Sequence, residues 1–311
     1  MKKIANRKVI CECLVEAAQN DDAICIAVSD SRGSASLSEF AEKYPKRTIE
    51  LGIAEQNLVG VAAGLAHSGK KPFVASPASF LTMRSIEQIK IDVAYSNTNV
   101  KLIGISAGVS YGALGMSHHS LQDLAVLNAI PNLRILVPAD GYETRKMINE
   151  IINDDIPTYI RVGRNPVEQV HDNKDFNLEI GKALMMRSGS DLTIVVTGEM
   201  VSVAMDCARK LETIGIDTRV LNIHTIKPFD EMSVINAAKE TKAIITMEEH
   251  SINGGLGSLV ASVISQHCPV KMKILGILDE ITMSGNSEEL FNYYGLNVDN
   301  VILEAKKLLE L

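Results

Sequence analysis

One carboxylic acid stands at the start of an apolar helical segment and is a candidate for proton chemistry. Glu55 lies in the run ELGIAEQN (residues 50–57), and residues 58–67 after it carry no Asp, Glu, Lys or Arg. An acid in a first helical turn is common simply because it complements the helix dipole. Since this helix is expected to be buried, the carboxyl group would also lie in an apolar setting suited to proton exchange.

A phenylalanine and a glycine-rich loop offer a second kind of chemistry. Phe80, in SPASFLTMR (residues 76–84), is either an ordinary core aromatic or a platform for a flat ring. The loop SAGVSYGALGMSHH (residues 106–119) has glycines that let the backbone approach a ligand closely. Its adjacent His118 and His119 point in different directions, so at most one would reach a given ligand, unless both are surface residues. A metal site at this pair of histidines is not favoured, because no acidic residue lies at a spacing that would make it a further ligand.

Dispersed arginines and a glycine turn are the candidates for anion binding. Arg7, Arg161 and Arg164 are each of a type most often found as solvated surface charges. Arg161 and Arg164 flank an expected loop, where a guanidinium group could bind a sugar phosphate in bidentate fashion. The run GGLG (residues 254–257) resembles a phosphate cradle, but it is short and lacks the lysine of a P-loop.

The elements that must position these residues follow an α/β pattern. Of the 311 residues, 46% are apolar, only 4% are aromatic and none is Trp, which suits parallel sheets covered by helices. Strand-like runs at 24–30, 100–106 and 192–198 alternate with helical ones, such as 82–95, which predicts βαβ units. Ligands of such sheets bind beyond the carboxyl ends of the strands. This rule selects four loops of the first domain, at residues 29–38, 76–81, 106–119 and 162–166.

A polar run that contains Pro166 interrupts this alternation. It predicts a first domain at residues 1–165, a linker at 166–177 and a second domain at 178–311. The formal net charge of −7 gives no electrostatic reason to bind nucleic acid. Five scattered cysteines predict free thiols in a reducing compartment, and no signal core or membrane-spanning run is present. We therefore expect a cytoplasmic protein.

Six runs, in order along nearly the whole chain, resemble the C-terminal half of transketolases and of the related 1-deoxyxylulose-5-phosphate synthases. They are IELGIAEQNLVGVAAGLA (49–66), FLTMRSIEQIKIDVAY (80–95), HHSLQDLAVLNAIPNLRILVPAD (118–140), PTYIRVGR (157–164), TGEMVSVAMDCARKLETIGIDTRVLNIHTIKPFD (197–230) and EEHSINGGLGS (248–258). The resemblance implies a pyrimidine-binding domain for thiamine diphosphate followed by a transketolase C-terminal domain, each with a mainly parallel sheet flanked by helices.

Full-length members of this family also carry an N-terminal domain whose GDG…N motif ligates the Mg²⁺ that holds the diphosphate. This sequence lacks that motif and begins where the pyrimidine domain should begin. It therefore resembles the small subunit of a split transketolase. The resemblance implies a separate diphosphate-binding subunit, which would ligate Mg²⁺, an α2β2 heterotetramer with active sites between subunits, and no metal ligands in this chain.

The resemblance also implies roles for single residues. Glu55 matches the glutamate that hydrogen-bonds the aminopyrimidine and favours its imino tautomer, and Phe80 matches the aromatic that stacks on that ring. His118 matches a histidine near the reacting oxygens of donor and acceptor. The positions implied for substrate phosphate and sugar are Arg7, Asp30, Ser34, Ser106 and Arg164.

Several positions depart from ordinary transketolases. Ser106 stands in place of a histidine and His119 in place of a glutamine. Pro77 and Met83 replace aromatics that surround the stacking ring, and the pair at 113–114 is Ala-Leu instead of acidic. Losing a hydroxyl partner changes substrate discrimination strongly. We therefore expect two-carbon ketol transfer to an aldose acceptor from a ketose phosphate other than xylulose 5-phosphate, such as a branched or deoxy sugar.

Three other functions are compatible with parts of this pattern. A 1-deoxyxylulose-5-phosphate-synthase-like enzyme would condense pyruvate with an aldehyde phosphate and release carbon dioxide. A non-catalytic member of the family would keep the fold without the activity. Retention of Glu55 argues against this, because a buried, unpaired acid destabilises a protein. A dinucleotide-binding oxidoreductase would rest only on the α/β pattern and GGLG.

Overall fold

The computed structural model describes residues 3–172 and 175–311. The strands of the first half are β1 (Ile24–Val28), β2 (Thr48–Glu50), β3 (Lys71–Pro77), β4 (Lys101–Ile105), β5 (Arg134–Leu136) and β6 (Thr158–Arg161). Its helices are α1 (Asn6–Ala17), α2 (Ser38–Lys43), α3 (Glu55–His67), α4 (Ala78–Arg84), α5 (Ile86–Gln88), α6 (Asp123–Asn128) and α7 (Gly141–Ile151), with a π-helical stretch at Ile89–Tyr95.

The second half repeats the alternation of strands and helices. Its strands are β7 (Leu184–Arg187), β8 (Leu192–Val196), β9 (Thr218–Asn222), β10 (Thr225–Lys227), β11 (Ala243–Ser251) and β12 (Lys271–Ile277). Its helices are α8 (Val201–Glu212), α9 (Glu231–Glu240), α10 (Leu256–His267), α11 (Ser287–Tyr293) and α12 (Val298–Leu309). None of the helices in the described ranges is long and apolar enough to cross a membrane.

Two mainly parallel sheets form the cores of the two domains. The first has the order β10-β5-β6-β4-β3-β1-β2 and the second the order β12-β11-β8-β9-β7. The central strands β1, β4 and β8 are buried along their whole length, which explains their unbroken apolar runs. Among the strands of the described ranges, β10 pairs with β5 and β7 with β9 in antiparallel fashion.

The second domain contributes an edge strand to the first sheet. Thr225 of β10 pairs with Leu136 of β5, and one apolar cluster contains residues of both domains, including Ile135 and Ile223. Burial of such side chains contributes on the order of 1.5–3 kcal/mol each. The two domains therefore share a packed interface instead of being joined by the linker alone.

One segment differs from the sequence-based prediction, and another lies partly outside the described residues. Residues 82–95 were expected to form one helix, but α4 ends at Arg84 and Ser85 leaves helical geometry (φ −116°, ψ 27°). The Ser85 hydroxyl donates to the Leu81 carbonyl, a local bond that competes with the regular helix pattern.

In the predicted linker, residues 166–172 and 175–177 form neither helix nor strand, and residues 173–174 lie outside the described residues. The domain boundaries stay a prediction.

Candidate active site

Four loops meet at the carboxyl edge of the first sheet because their strands β6, β4, β3 and β1 are neighbours. Hydroxyl groups join the loop after β1 to the end of β3. The Ser29 Oγ donates to the Ser76 Oγ at 2.7 Å, and the Ser31 Oγ donates to the Ala75 carbonyl at 2.6 Å. The residues that follow these strands are therefore held at one place, where ligands of α/β sheets bind.

A buried carboxylate and an aromatic ring at this edge both contact one arginine side chain. Glu55 begins α3 with its side chain only 4% exposed, and Nη1 of Arg84 donates to both carboxylate oxygens at 3.1 and 3.0 Å. The guanidinium carbon of Arg84 also lies 4.1 Å from the centroid of the half-buried Phe80 ring. Arg84 therefore joins the acid to the ring face.

A surface hollow lies beside the Glu55 carboxylate. Residues 53–57 and Arg84 border it, so Glu55 is reachable from outside. A ring stacked on Phe80 could donate an N–H to the Glu55 carboxylate, in the positions that the Arg84 guanidinium takes now. Pro77 ends β3 immediately before α4, and Met83 lies on α4 with 51% of its surface exposed.

Of the two adjacent histidines, His118 contacts the rings of Phe80 and Tyr111, and His119 does not. The His118 ring lies edge-on to Phe80 with centroids 5.0 Å apart, and edge-on to Tyr111 at 5.5 Å. The Ser117 Oγ lies 3.0 Å from His118 Nδ1 and orients the imidazole. His119 turns instead toward the second domain, where its Nδ1 lies 2.8 Å from the Thr282 Oγ1, and burial lowers the pKa of His119.

A cationic cluster lies on the far side of Tyr111. Arg7 Nε donates to the Arg164 carbonyl at 3.0 Å, and another Arg7 nitrogen donates to the Ser34 carbonyl. The Arg164 guanidinium lies 4.6 Å from the Tyr111 ring, whose hydroxyl donates to the Ser34 Oγ at 3.2 Å. Burial and the charge of Arg164 lower the pKa of Arg7. Arg164 Nη1 is buried and has no hydrogen-bond partner in the described chain, as expected of a donor that awaits an anion.

Asp30 and Ser106 occupy strained positions at the ends of β1 and β4. Both have left-handed backbone conformations, with φ of 53° and 56°. Asp30 is exposed, and its backbone N–H donates to Glu50 Oε1 at 2.7 Å. Ser106 is buried, and its hydroxyl has no partner among the described residues. Such strain is typical of functional positions.

Two anion-binding possibilities raised by the sequence are wrong. Arg161 is buried, and its Nε donates to the Asp123 carboxylate at 2.8 Å, while its Nη2 donates to the Glu249 carbonyl at 2.8 Å. The guanidinium group of Arg161 therefore makes its hydrogen bonds inside the protein and is not available to a phosphate. In GGLG, the backbone N–H groups of Leu256 and Gly257 both donate to the Glu248 carboxylate at 2.8 Å. An internal carboxylate already fills that helix start.

The second domain supports the glycine-rich loop of the site, which the sequence pattern did not indicate. Glu249 Oε1 accepts from the Val109 N–H at 2.6 Å, and the Gly285 N–H donates to the Gly112 carbonyl at 3.2 Å. Gly108 has φ of +61°, and a Cβ there would lie 2.3 Å from the Glu249 carboxyl group. Only glycine therefore fits, and the glycine-rich loop is held against the second domain.

The fold belongs to the class of proteins built from a pyrimidine-binding domain followed by a second α/β domain. Residues 2–169 match the family described as Transketolase, pyrimidine binding domain, and residues 181–301 match Transketolase, C-terminal domain. The chain belongs to the transketolase family. It is 47% identical over 302 residues to one of the subunits of the apulose-4-phosphate transketolase of Phocaeicola vulgatus, covering 97% of this chain and 96% of the relative.

Further relatives share the whole length of the chain. Identity is 36% over 304 residues to the 6-deoxy-6-sulfo-D-fructose transketolase subunit SqwH of Clostridium sp. (strain MSTE9), covering 98% of this chain and 94% of the relative. A solved structure described as a split gene transketolase, inactive beta4 tetramer, superposes with a TM-score of 0.90 at 36% identity over 99% of both chains.

These similarities confirm the predicted family, the two-domain α/β fold and the assignment as a transketolase subunit, a transferase component. They fit that assignment better than the synthase alternative. The 1-deoxy-D-xylulose-5-phosphate synthase of Halothermothrix orenii is 37% identical over 277 residues, which cover only 43% of its length. Thiamine diphosphate is the cofactor of the transketolase family.

Proposed function

We propose that this chain binds the aminopyrimidine of thiamine diphosphate and the phosphate of a sugar substrate within a split transketolase that transfers a two-carbon ketol unit. The supporting observation is a continuous row of contacts across the site. In order, the row runs through Glu55, Arg84, Phe80, His118, Tyr111, Arg164 and Arg7. A ring-binding end and an anion-binding end are thus joined, with an imidazole between them.

At the ring-binding end, bound thiamine diphosphate supplies the carbanion chemistry, and this chain supplies orientation. The Glu55 carboxylate accepts a hydrogen bond from the pyrimidine and Phe80 stacks on it, while Pro77 and Met83 border the ring. Arg84, whose side chain is 46% exposed, has room to leave the carboxylate when the ring arrives.

At the other end, Arg7 and Arg164 bind the substrate phosphate, with Ser34 beside them. Guanidinium–phosphate hydrogen bonds are charge-assisted and about twice as strong as neutral ones. His118 then lies near the reacting oxygens and can carry a proton to or from them. Asp30 and Ser106 contact hydroxyl groups of the sugar.

The donor sugar is proposed to be a ketose phosphate other than xylulose 5-phosphate. Ala113 and Leu114 in the glycine-rich loop are exposed and carry no hydroxyl-binding group. The names of two relatives, which specify apulose 4-phosphate and 6-deoxy-6-sulfofructose, support a branched or deoxy sugar. Steady-state rates with a panel of ketose phosphates test this; a clear preference for xylulose 5-phosphate contradicts it. Carbon dioxide release from pyruvate would instead favour the synthase-like function.

A separate N-terminal subunit is proposed to bind the diphosphate and to ligate Mg²⁺, in an α2β2 assembly. The description of a homologous tetramer of one subunit type as inactive supports the need for a partner. A cytoplasmic location is proposed as well, because the five cysteines, all within the described ranges, are unpaired and four are buried, as is usual in reducing compartments.

Calorimetric titration with thiamine diphosphate and Mg²⁺ tests the composite site. We expect binding only after the chain is mixed with a diphosphate-binding subunit, and weaker binding when Glu55→Ala replaces the wild-type chain in the mixture. Tight binding by the isolated chain would contradict the split arrangement. Turnover that survives Glu55→Ala would favour a non-catalytic member of the family.

A further inference from the structure

A carboxylate of the second domain reaches into the first domain beside the cationic cluster. Glu199 follows β8 in a short 3₁₀ turn, Gly198–Met200. Its Oε1 accepts two hydrogen bonds from the first domain, one from Asn6 Nδ2 at 3.2 Å and one from the Gly163 N–H at 3.0 Å. One oxygen atom thus joins two segments that are about half the chain apart in sequence.

Each residue bound by Glu199 immediately precedes one of the two arginines. Asn6 precedes Arg7, and Gly163 precedes Arg164. The two arginine segments are also joined directly, because Arg7 Nε donates to the Arg164 carbonyl at 3.0 Å. The carboxylate, this bond and two backbone hydrogen bonds between Ile4 and Val167 therefore hold together the segments from which the two guanidinium groups project.

The contact with Gly163 is close enough to require glycine. A Cβ at this position would lie 2.2 Å from Glu199 Oε2, which no side chain could tolerate without displacing the carboxylate. Asn6 is fully buried, and the Glu199 carboxylate satisfies its side-chain N–H group. The packing on both sides thus fixes where the carboxylate lies.

We propose that Glu199 is a positioning residue for the substrate phosphate, because it fixes the backbone from which Arg7 and Arg164 project. This inference depends on the proposed phosphate site. It gives the second domain a part in substrate recognition. A guanidinium pair binds phosphate bidentately only when both groups are correctly placed, and a displacement of 1 Å can cost ~100-fold in activity.

The test uses the reconstituted complex and compares two acceptors, D-glyceraldehyde 3-phosphate and D-glyceraldehyde. For Glu199→Ala we expect KM for the phosphorylated acceptor to rise roughly 10- to 100-fold, with kcat changed less than about threefold. KM for the acceptor without phosphate should stay unchanged. Glu199→Gln keeps an Oε1 acceptor for both bonds and should restore the wild-type KM.

A matched control separates positioning from general destabilisation. Glu248 is a buried acid of the second domain that, like Glu199, accepts two hydrogen bonds, but its partners are the backbone N–H groups of Leu256 and Gly257 at the start of α10. Glu248→Ala should lower thermal stability without changing the ratio of the two KM values. If Glu199→Ala does not fold, Glu199→Asp takes its place, because the shorter side chain keeps the charge but cannot reach both donors.

Arg164→Ala distinguishes failure of this inference from failure of the proposed phosphate site. If Arg164→Ala leaves the KM ratio unchanged, the phosphate site itself is wrong. If Arg164→Ala raises the ratio while the Glu199 variants do not, or if they raise both KM values equally, the positioning role is overturned. A selective rise in both sets of variants supports it.

Discussion

A buried acid between the two domains should make the stability of this chain depend on pH. Glu249 is only 7% exposed, and burial raises its pKa to about 8 against the opposing effect of Arg161, while the charge of Glu199 raises it further. Burial likewise raises the pKa of Glu199 to about 7. In the folded chain Glu249 therefore holds a proton through the neutral range, whereas an unfolded chain releases it above its ordinary pKa of 4.5.

The sign and size of the effect follow from proton linkage. Between pH 4.5 and about 8 Glu249 binds a proton in the folded state but not in the unfolded state, so its contribution to the free energy of unfolding falls as pH rises and levels off above pH 8. One proton contributes about 1.4 kcal/mol per pH unit, which gives a loss on the order of 3–5 kcal/mol across this window.

Glu249→Gln isolates this contribution. The amide is neutral at every pH, and its oxygen can still accept from the Val109 N–H, so the loop contact is retained. Urea unfolding of both proteins, followed by circular dichroism at about pH 5.5 and 8, gives the two slopes. Lys101, whose pKa burial lowers to about 8, titrates in both proteins and cancels. Equal pH slopes for wild type and variant would refute the reasoning.

Three substitutions test the other contacts. Glu55→Ala should abolish turnover of the reconstituted complex but change the melting temperature little, because Arg84 is half-exposed; undiminished turnover in a rate assay would contradict the assigned role. Arg84→Ala should cost about 1–2 kcal/mol in urea unfolding, since it leaves the buried Glu55 without its partner, and no loss would mean that water replaces the guanidinium. Arg161→Ala should cost about 3–5 kcal/mol, because the buried Asp123 loses its ion pair; a loss below about 1 kcal/mol would show that pair to be dispensable.

The core strands could be predicted from the sequence because their physical requirement is local. A parallel strand covered on both faces needs an unbroken apolar run, and the runs at residues 100–106 and 192–198 correspond to β4 and β8. The end of α4 could not be predicted, since it depends on a bond between the Ser85 hydroxyl and the Leu81 carbonyl. Nor does any local pattern indicate that β10 joins the sheet of the other domain.

The sequence by itself determined the family, because continuous runs along the chain resemble one family. For the same reason it predicted Glu55 and Phe80 as ring-binding residues. Only the tertiary structure showed that Arg164 and Arg161, which are three residues apart, have different partners. Arg161 ends β6 and is neutralised by Asp123, while Arg164 lies beyond the strand beside Arg7. The packing of distant segments decides which charge is paired inside the protein and which is available to a substrate. The residue type at one position therefore does not predict whether its charge is paired.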